Sequence, residues 1–213
     1  MSFYERQVLP RIIDLAMRGG DIGEERAEGL AGVRGRVLEV GFGSGLNLEH
    51  YSFGASANGG RGGVTWLAAL DPNDVAWKLA RPRIDRAPFP VRRVELVEGR
   101  LPAEDGEFDA VVTTFTLCTI PDLAAALAEM RRVLSPTGRF HFVEHGLADD
   151  ERVRKWQRRW NPVQKRLFGG CHVDRAIDRE IESAGFAIER LEKGYLKGPK
   201  ALAFRYRGIA AKR

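Results

Sequence analysis

The sequence predicts a doubly wound α/β fold with a mostly parallel sheet, and three observations carry that prediction. Short apolar runs alternate with helix-compatible segments along most of the 213 residues, the order that builds a parallel sheet covered by helices on both faces. The first such run, Val37, Leu38 and Val40, ends in Gly41-Phe-Gly-Ser-Gly45. Glycines at alternate positions let the backbone turn sharply and approach a ligand with no Cβ in the way. The second run, Val64 to Leu70, ends in Asp71, which places a carboxylate where ligands of open α/β sheets bind.

The length suits a single domain, 1–213, with a full core. A net charge of +5 favours anionic partners in general. The arginines are spread along the chain with no zinc-finger, basic-zipper or RNA-recognition signature, so nucleic acid is not the expected partner. No apolar stretch approaches about 18 residues and the N-terminus lacks a signal-type core, which predicts a cytoplasmic protein. Two cysteines, Cys118 and Cys171, make neither a disulfide framework nor a metal-binding spacing.

In chain order, Phe3 to Met17 has near-helical apolar spacing despite Pro10, and Gly19-Gly20 ends it. A short second helix over Gly23 to Leu30 completes an N-terminal pair within 1–32. The glycine loop leads into a helix from Leu46 to Tyr51, and Ser52 to Gly63 reads as a flexible loop. Val75 to Ile84 is helical with Pro82 against it, and Val91 to Val97 and Ala110 to Thr114 are strands three and four. Asp122 or a neighbour caps a helix whose apolar face is Leu123, Leu127, Met130, Val133 and Leu134. Ser135-Pro-Thr-Gly138 introduces strand five, Arg139 to Val143.

The segment 147–172 is the most distinctive. Val153, Trp156, Trp160, Val163 and Leu167 recur at steps of three and four, with Arg152, Arg154, Lys155, Arg158, Arg159, Lys165 and Arg166 between them. That is a basic amphipathic helix, interrupted near Asn161-Pro162. It fits three uses: a contact with an anionic membrane through 152–167, a cover for the substrate pocket, or an apolar face packed on its own domain. A helix from Val173 to Ala184 and two strands, Phe186 to Leu191 and Lys200 to Tyr206, close the chain.

Spacing narrows the ligand. A dinucleotide fingerprint needs glycine where Leu46 stands. Glu39, two residues before the first glycine, would repel phosphates and suits an ammonium, which S-adenosylmethionine has. The acidic-x-Gly-x-Gly-x-Gly pattern at a strand-to-helix turn resembles motif I of the class I S-adenosylmethionine-dependent methyltransferases. The resemblance implies a Rossmann-like, seven-stranded sheet with an antiparallel C-terminal hairpin, and S-adenosylmethionine as cofactor. It implies that Glu39, Gly41, Phe42, Gly43, Gly45 and Asn47 hold the methionine end, and that Asp71 with Pro72 holds the ribose, although Asp71-Pro72 also suits a simple turn. Leu101-Pro102 and Asp105 to Asp109 resemble the stretch that follows the adenine contact. The segment before them is about three residues short of the family pattern, leaving Glu98, Arg100 and the Leu101 backbone as candidates.

Thr116-Leu117-Cys118-Thr119 after strand four falls beside the glycine loop. With Glu144-His145 and Gly169-Gly170-Cys171-His172 it resembles one branch, the small methyltransferases that include animal thiol methyltransferases. Phospholipid N-methyltransferases and ubiquinone-biosynthesis C-methyltransferases are more distant. The implied acceptor is a small, lipophilic nucleophile, with Tyr4, Cys118, Trp156 and Trp160 as residues that would face it. Methyl transfer from a sulfonium is an in-line displacement that mainly requires positioning. His145, Glu144 and His172 are the candidate bases, each with a structural alternative: fixing the strand-end loop or capping a helix. A non-catalytic module docking through Val153 to Leu167 is the rival of a different class.

Overall fold

The computed structural model describes residues 3–53, 62–167 and 170–213, with the side chains of Glu5, Pro162, Val163 and 165–167 excepted. Most of the loop expected from Ser52 to Gly63 lies outside the described residues. The strands are β1 Gly35–Val40, β2 Val64–Leu70, β3 Val91–Val94, β4 Phe108–Thr114, β5 Leu134–His145, β6 Phe186–Tyr195 and β7 Phe204–Lys212. The helices are α1 Leu9–Ala16, α2 Gly20–Gly29, α3 Asp74–Ile84, α4 Leu123–Val133, α5 Glu151–Leu167, α6 Ile177–Ser183 and α7 Lys200–Ala203.

One seven-stranded sheet has the order β3-β2-β1-β4-β5-β7-β6. β1 pairs in parallel with β2 and β4, β2 with β3, and β4 with β5. β7 inserts antiparallel between β5 and β6. The order reverses at β1, between β2 and β4, which opens the ligand crevice at the carboxyl ends of β1 and β4.

Both faces are covered, which explains why the strands read as continuous apolar runs. Leu38 and Val40 of β1 and Val111 of β4 join α4 and α6 in one core cluster. Val37, Ala110 and Val112 point the other way, into a cluster with Leu67, Phe89 and Ala80 of α3.

Several boundaries differ from expectation. Pro10 does not interrupt a helix: a π-helical turn, Tyr4–Val8, precedes α1 and leaves Pro10 in the first turn, where a missing N–H costs little. The helix expected after the glycine loop is a single 3₁₀ turn, Leu46–Glu49. β5 begins at Leu134, so Ser135 to Gly138 lie within the strand. α6 begins four residues later than expected, and Lys200–Ala203 is a helical turn, not the start of β7. Asn73 caps α3, its Oδ1 accepting from Val75 and Ala76 N–H at 2.9 and 3.1 Å, which anchors a helix that contains Pro82. Asp122 caps α4 as expected.

Candidate active site

The glycine loop is built by left-handed backbone: Gly41, Gly43 and Gly45 have φ of 79°, 56° and 75°. The N–H groups of Gly41 and Phe42 donate to the Leu70 carbonyl at 2.9 and 3.1 Å, which fixes the loop to the end of β2. A Cβ on Gly41 would lie 1.9 Å from Thr116 Oγ1, whereas a Cβ on Gly43 would meet nothing closer than 3.9 Å. The loop is therefore closed toward β4 and open at Gly43, a cradle of the kind a ligand backbone approach requires. Phe42 is a correction: its ring is buried and stacks on Trp77 at 5.0 Å between centroids, so only its backbone belongs to the loop.

Asp71 does two jobs. Its Oδ2 accepts from Gly43 N–H and its Oδ1 from Asn73 N–H, both at 2.8 Å. It is thus both the turn residue and the tie that sets the glycine loop, and each oxygen keeps a lone pair for a ribose hydroxyl. Burial raises its pKa, against the N–H bonds from Asn73 and Gly43 and the charge of Arg93. Pro72 beside it is exposed.

Glu39 is buried, and each oxygen has one partner: Asn47 Nδ2 donates to Oε1 at 2.9 Å and Tyr51 OH to Oε2 at 2.7 Å. Arg26 lies in the same network, donating to Asn47 Oδ1 at 2.6 Å and to Thr114 Oγ1 at 2.8 Å. Burial pushes the Glu39 carboxyl up to about 7, opposed by Tyr51, Arg26 and Asn47. Arg26, Tyr51 and Thr114 were not legible as site residues. In sequence Arg26 is one more arginine on a charged helix, and no local pattern marks it as buried.

The turn after β4 hangs on Glu144. Its Oε2 accepts from Thr116 N–H at 2.8 Å and Leu117 N–H at 3.0 Å, and the carboxyl is fully buried. Burial raises its pKa to about 8, against the N–H groups of Leu117, Thr116 and Cys118 and the Thr113 hydroxyl. His145 packs against Phe115, ring centroids 4.7 Å apart, and burial lowers its pKa to about 4. His172 is half-buried, its Nδ1 3.8 Å from Asp174, and its backbone N–H donates to the Cys118 carbonyl at 2.8 Å. Of the three candidate bases, Glu144 is thus a backbone anchor and His145 is too weak a base near neutral pH.

The adenine candidates are placed differently from the expectation. Glu98 and Gly99 form a tight turn with φ of 50° and 81°, closed by paired Val97–Arg100 backbone bonds and exposed to solvent. Arg100 points toward Glu129 at 3.7 Å. Both backbone groups of Leu101 are taken by α4: its N–H donates to Glu129 and its carbonyl accepts from Arg132, each at 3.1 Å. Leu101 is therefore a packing residue.

α1 covers the glycine loop. The buried Asp14 carboxyl receives Arg83 at 3.4 Å, and the same guanidinium donates to the Ser44 carbonyl at 3.0 Å. Although burial acts the other way, hydrogen bonds from Ser44 and Arg18 and the charges of Arg18 and Arg83 hold Asp14 below its usual range. Tyr4, expected to face the acceptor, is exposed on the turn before α1.

α5 divides the expected apolar stripe: Val153 packs against the core, and the side chains of Val163 and Leu167 lie outside the described residues. Trp156 and Trp160 are 56% and 49% exposed, while Gln157, Asn161 and Gln164 are buried. Val153 and the three amides thus face inward, and the two tryptophans face out. Gln157 explains why: its Oε1 accepts from Ala148 N–H at 2.9 Å and its Nε2 donates to the Gly146 carbonyl at 3.0 Å, closing the chain's path out of β5. Amides at i, i+4 and i+7 were a signal available in the sequence. Cys118 is buried against Cys171.

Similarity to known proteins agrees with this geometry. Residues 38–142, spanning β1 to β5, match a family model described as a methyltransferase domain. A human thiol S-methyltransferase is 30% identical over 173 residues, 78% of this chain and 66% of that protein. The chain belongs to the class I S-adenosylmethionine-dependent methyltransferases. A ubiquinone/menaquinone biosynthesis C-methyltransferase from Methylobacterium nodulans is 36% identical over 74% of the chain and 59% of that protein. The chain thus spans about two thirds or less of these curated relatives. An S-adenosylmethionine-dependent methyltransferase structure from Thermotoga maritima superposes with a TM-score of 0.67 at 18% identity, covering 99% of this chain and 98% of that one. The open cradle at Gly43 and the free lone pairs of Asp71 fit the family's cofactor.

Proposed function

We propose that this methyltransferase acts on a thiol of a small, lipophilic molecule. The state of Glu144 and His145 carries this reading: one carboxyl is bound to backbone N–H groups and the imidazole is held at about 4. Neither of these two is suited to draw a proton from a phenol or an ammonium at neutral pH, which leaves His172 as the one candidate base beside the acceptor wall. A thiol, with an ordinary pKa of about 8.5, needs little help to ionise. S-adenosylmethionine supplies a methyl group already activated for displacement. The protein's part is to orient the acceptor in line and exclude water. The loop backbone around Gly43 with Asp71 would hold the cofactor, and the turn Thr116 to Thr119 with the 170–175 segment would wall the acceptor side. The similarity to a thiol S-methyltransferase supports the same acceptor class.

The test is calorimetric titration with S-adenosylmethionine, with NAD as control, followed by a screen of thiols, phenols and amines. Saturable binding and preference for thiols are expected. Phenols or amines outrunning thiols would overturn the acceptor, and absent binding would favour a non-catalytic docking module. Asp71→Ala is expected to weaken cofactor binding by about 1.5–3 kcal/mol, the scale of hydrogen bonds to a charged group. Unchanged affinity would remove Asp71 from the ribose role.

A second reading, a quinone or phospholipid acceptor met at a bilayer, is favoured by one observation. The outward tryptophans of α5 lie among Arg152, Lys155, Arg158 and Arg159, all exposed, a pattern complementary to an anionic lipid surface. Among the described residues no helix is long and apolar enough to cross a membrane. Vesicles containing anionic lipid should pellet the protein, less so as salt rises, and Trp156→Ala with Trp160→Ala should weaken the association. Association indifferent to lipid charge would discard the bilayer contact.

A further inference from the structure

The chain has two cysteines, and the fold brings them together from 53 positions apart. Their sulfurs are non-bonded at 3.3 Å, and the side chains are 2% and 7% exposed. Cys118 sits in the turn after β4 and Cys171 in the segment between α5 and α6. Two further contacts already join these segments: His172 N–H donates to the Cys118 carbonyl at 2.8 Å, and the Arg175 guanidinium donates to the Leu117 carbonyl. Val173 completes a small cluster with the two thiols. Hydrogen bonds on either side of the thiols therefore already hold the two segments together.

We propose that Cys118 and Cys171 are a redox modification site, oxidised by a peroxide to an intramolecular disulfide that fixes the acceptor side of the active site. The Cys171 sulfur attacks one peroxide oxygen, forming a sulfenic acid and releasing water. The Cys118 sulfur then attacks the sulfenic sulfur, the S–S bond forms, and the hydroxyl leaves as a second water. Two thiols and one hydrogen peroxide become one disulfide and two waters. Cys171 is the sulfur oxidised first. It is the more exposed, Gln164 Nε2 lies 3.9 Å away, and the Cys118 thiol hydrogen-bonds to it and holds its pKa below the ordinary value. The bond would tie the turn anchored by Glu144 to the 170–175 segment, the two walls assigned to the acceptor. The regulatory half rests on the methyl-transfer reading, and the chemical half does not.

The experiment treats the purified protein with hydrogen peroxide and maps peptides before and after dithiothreitol. The expected product is one linked peptide pair containing Cys118 and Cys171, two hydrogen atoms lighter, released by the reductant. Hydrogen exchange at 116–119 and 170–175 should slow in the oxidised form, a readout independent of activity. Turnover of a thiol acceptor should be mostly lost on oxidation and regained on reduction, while in Cys171→Ser peroxide should leave hydrogen exchange at 116–119 unchanged. Separate sulfinic acids, or links between molecules, would overturn the site. A linked pair with unchanged turnover would overturn the regulation alone.

Discussion

Gly41→Ala is expected to destabilise the protein by about 2–5 kcal/mol and to abolish S-adenosylmethionine binding. The left-handed φ of 79° costs an L-residue roughly 1–2 kcal/mol. The new Cβ would stand 1.9 Å from Thr116 Oγ1 and 2.3 Å from its Cγ2, an overpacking worth roughly 1–3 kcal/mol more. Thr116 cannot step aside cheaply, because its N–H is held by Glu144 and its hydroxyl donates to the Thr114 carbonyl at 3.1 Å. Gly43→Ala separates the two effects. Its Cβ would enter open space, so it should cost only about the 1–2 kcal/mol of the left-handed backbone while obstructing the cradle. Urea midpoints and calorimetry on both variants check this. If Gly43→Ala binds S-adenosylmethionine as well as the wild type, the cradle lies elsewhere.

Glu144→Gln should raise stability at pH 8 and flatten its pH dependence. The folded pKa of Glu144, about 8, lies above the ordinary carboxyl value, so the folded state binds the extra proton between the two. Stability from this group is fully present at low pH and is lost as pH rises through about 8. Glu39, at about 7, acts in the same sense. His145, lowered to about 4, acts oppositely below pH 6.5, where protonation favours the unfolded chain. The clean window is therefore pH 6.5 to 8, across which Glu144 alone should cost on the order of 1–2 kcal/mol. Thermal melts across that window provide the measurement. Glutamine keeps an oxygen for the Thr116 and Leu117 N–H groups and removes the charge. Glu144→Ala leaves those donors unpaired and should destabilise at every pH. A wild type more stable at pH 8 than at 6.5 would refute the assignment.

The glycine loop, the acidic strand ends and the α/β alternation were legible because each is a local pattern: a run of apolar residues, a spacing of glycines, a carboxylate at a strand's end. The same legibility placed Asp71 and Glu144 at the site without revealing their jobs. Those depend on Gly43 N–H and on the Thr116 and Leu117 N–H groups, which come from 28 residues away or nearly so. The place of Phe42 in the glycine loop was legible, but not that its ring stacks on Trp77 of α3.

α5 marks the limit most clearly. Its helical period was fixed by sequence, and so was its division into an apolar stripe and polar positions. Which of these positions face inward was not: Gln157 meets the Ala148 N–H and the Gly146 carbonyl at the exit of β5, while Trp156 and Trp160 stand at the surface. Local pattern determined the family, the sheet and the cofactor loop, since each needs only neighbours in the chain. Tertiary structure alone decided the buried Arg26–Asn47–Glu39 network, the Cys118–Cys171 contact and the facing of α5. Each joins groups that are not neighbours in the chain and that burial removes from water, so they must find partners within the fold.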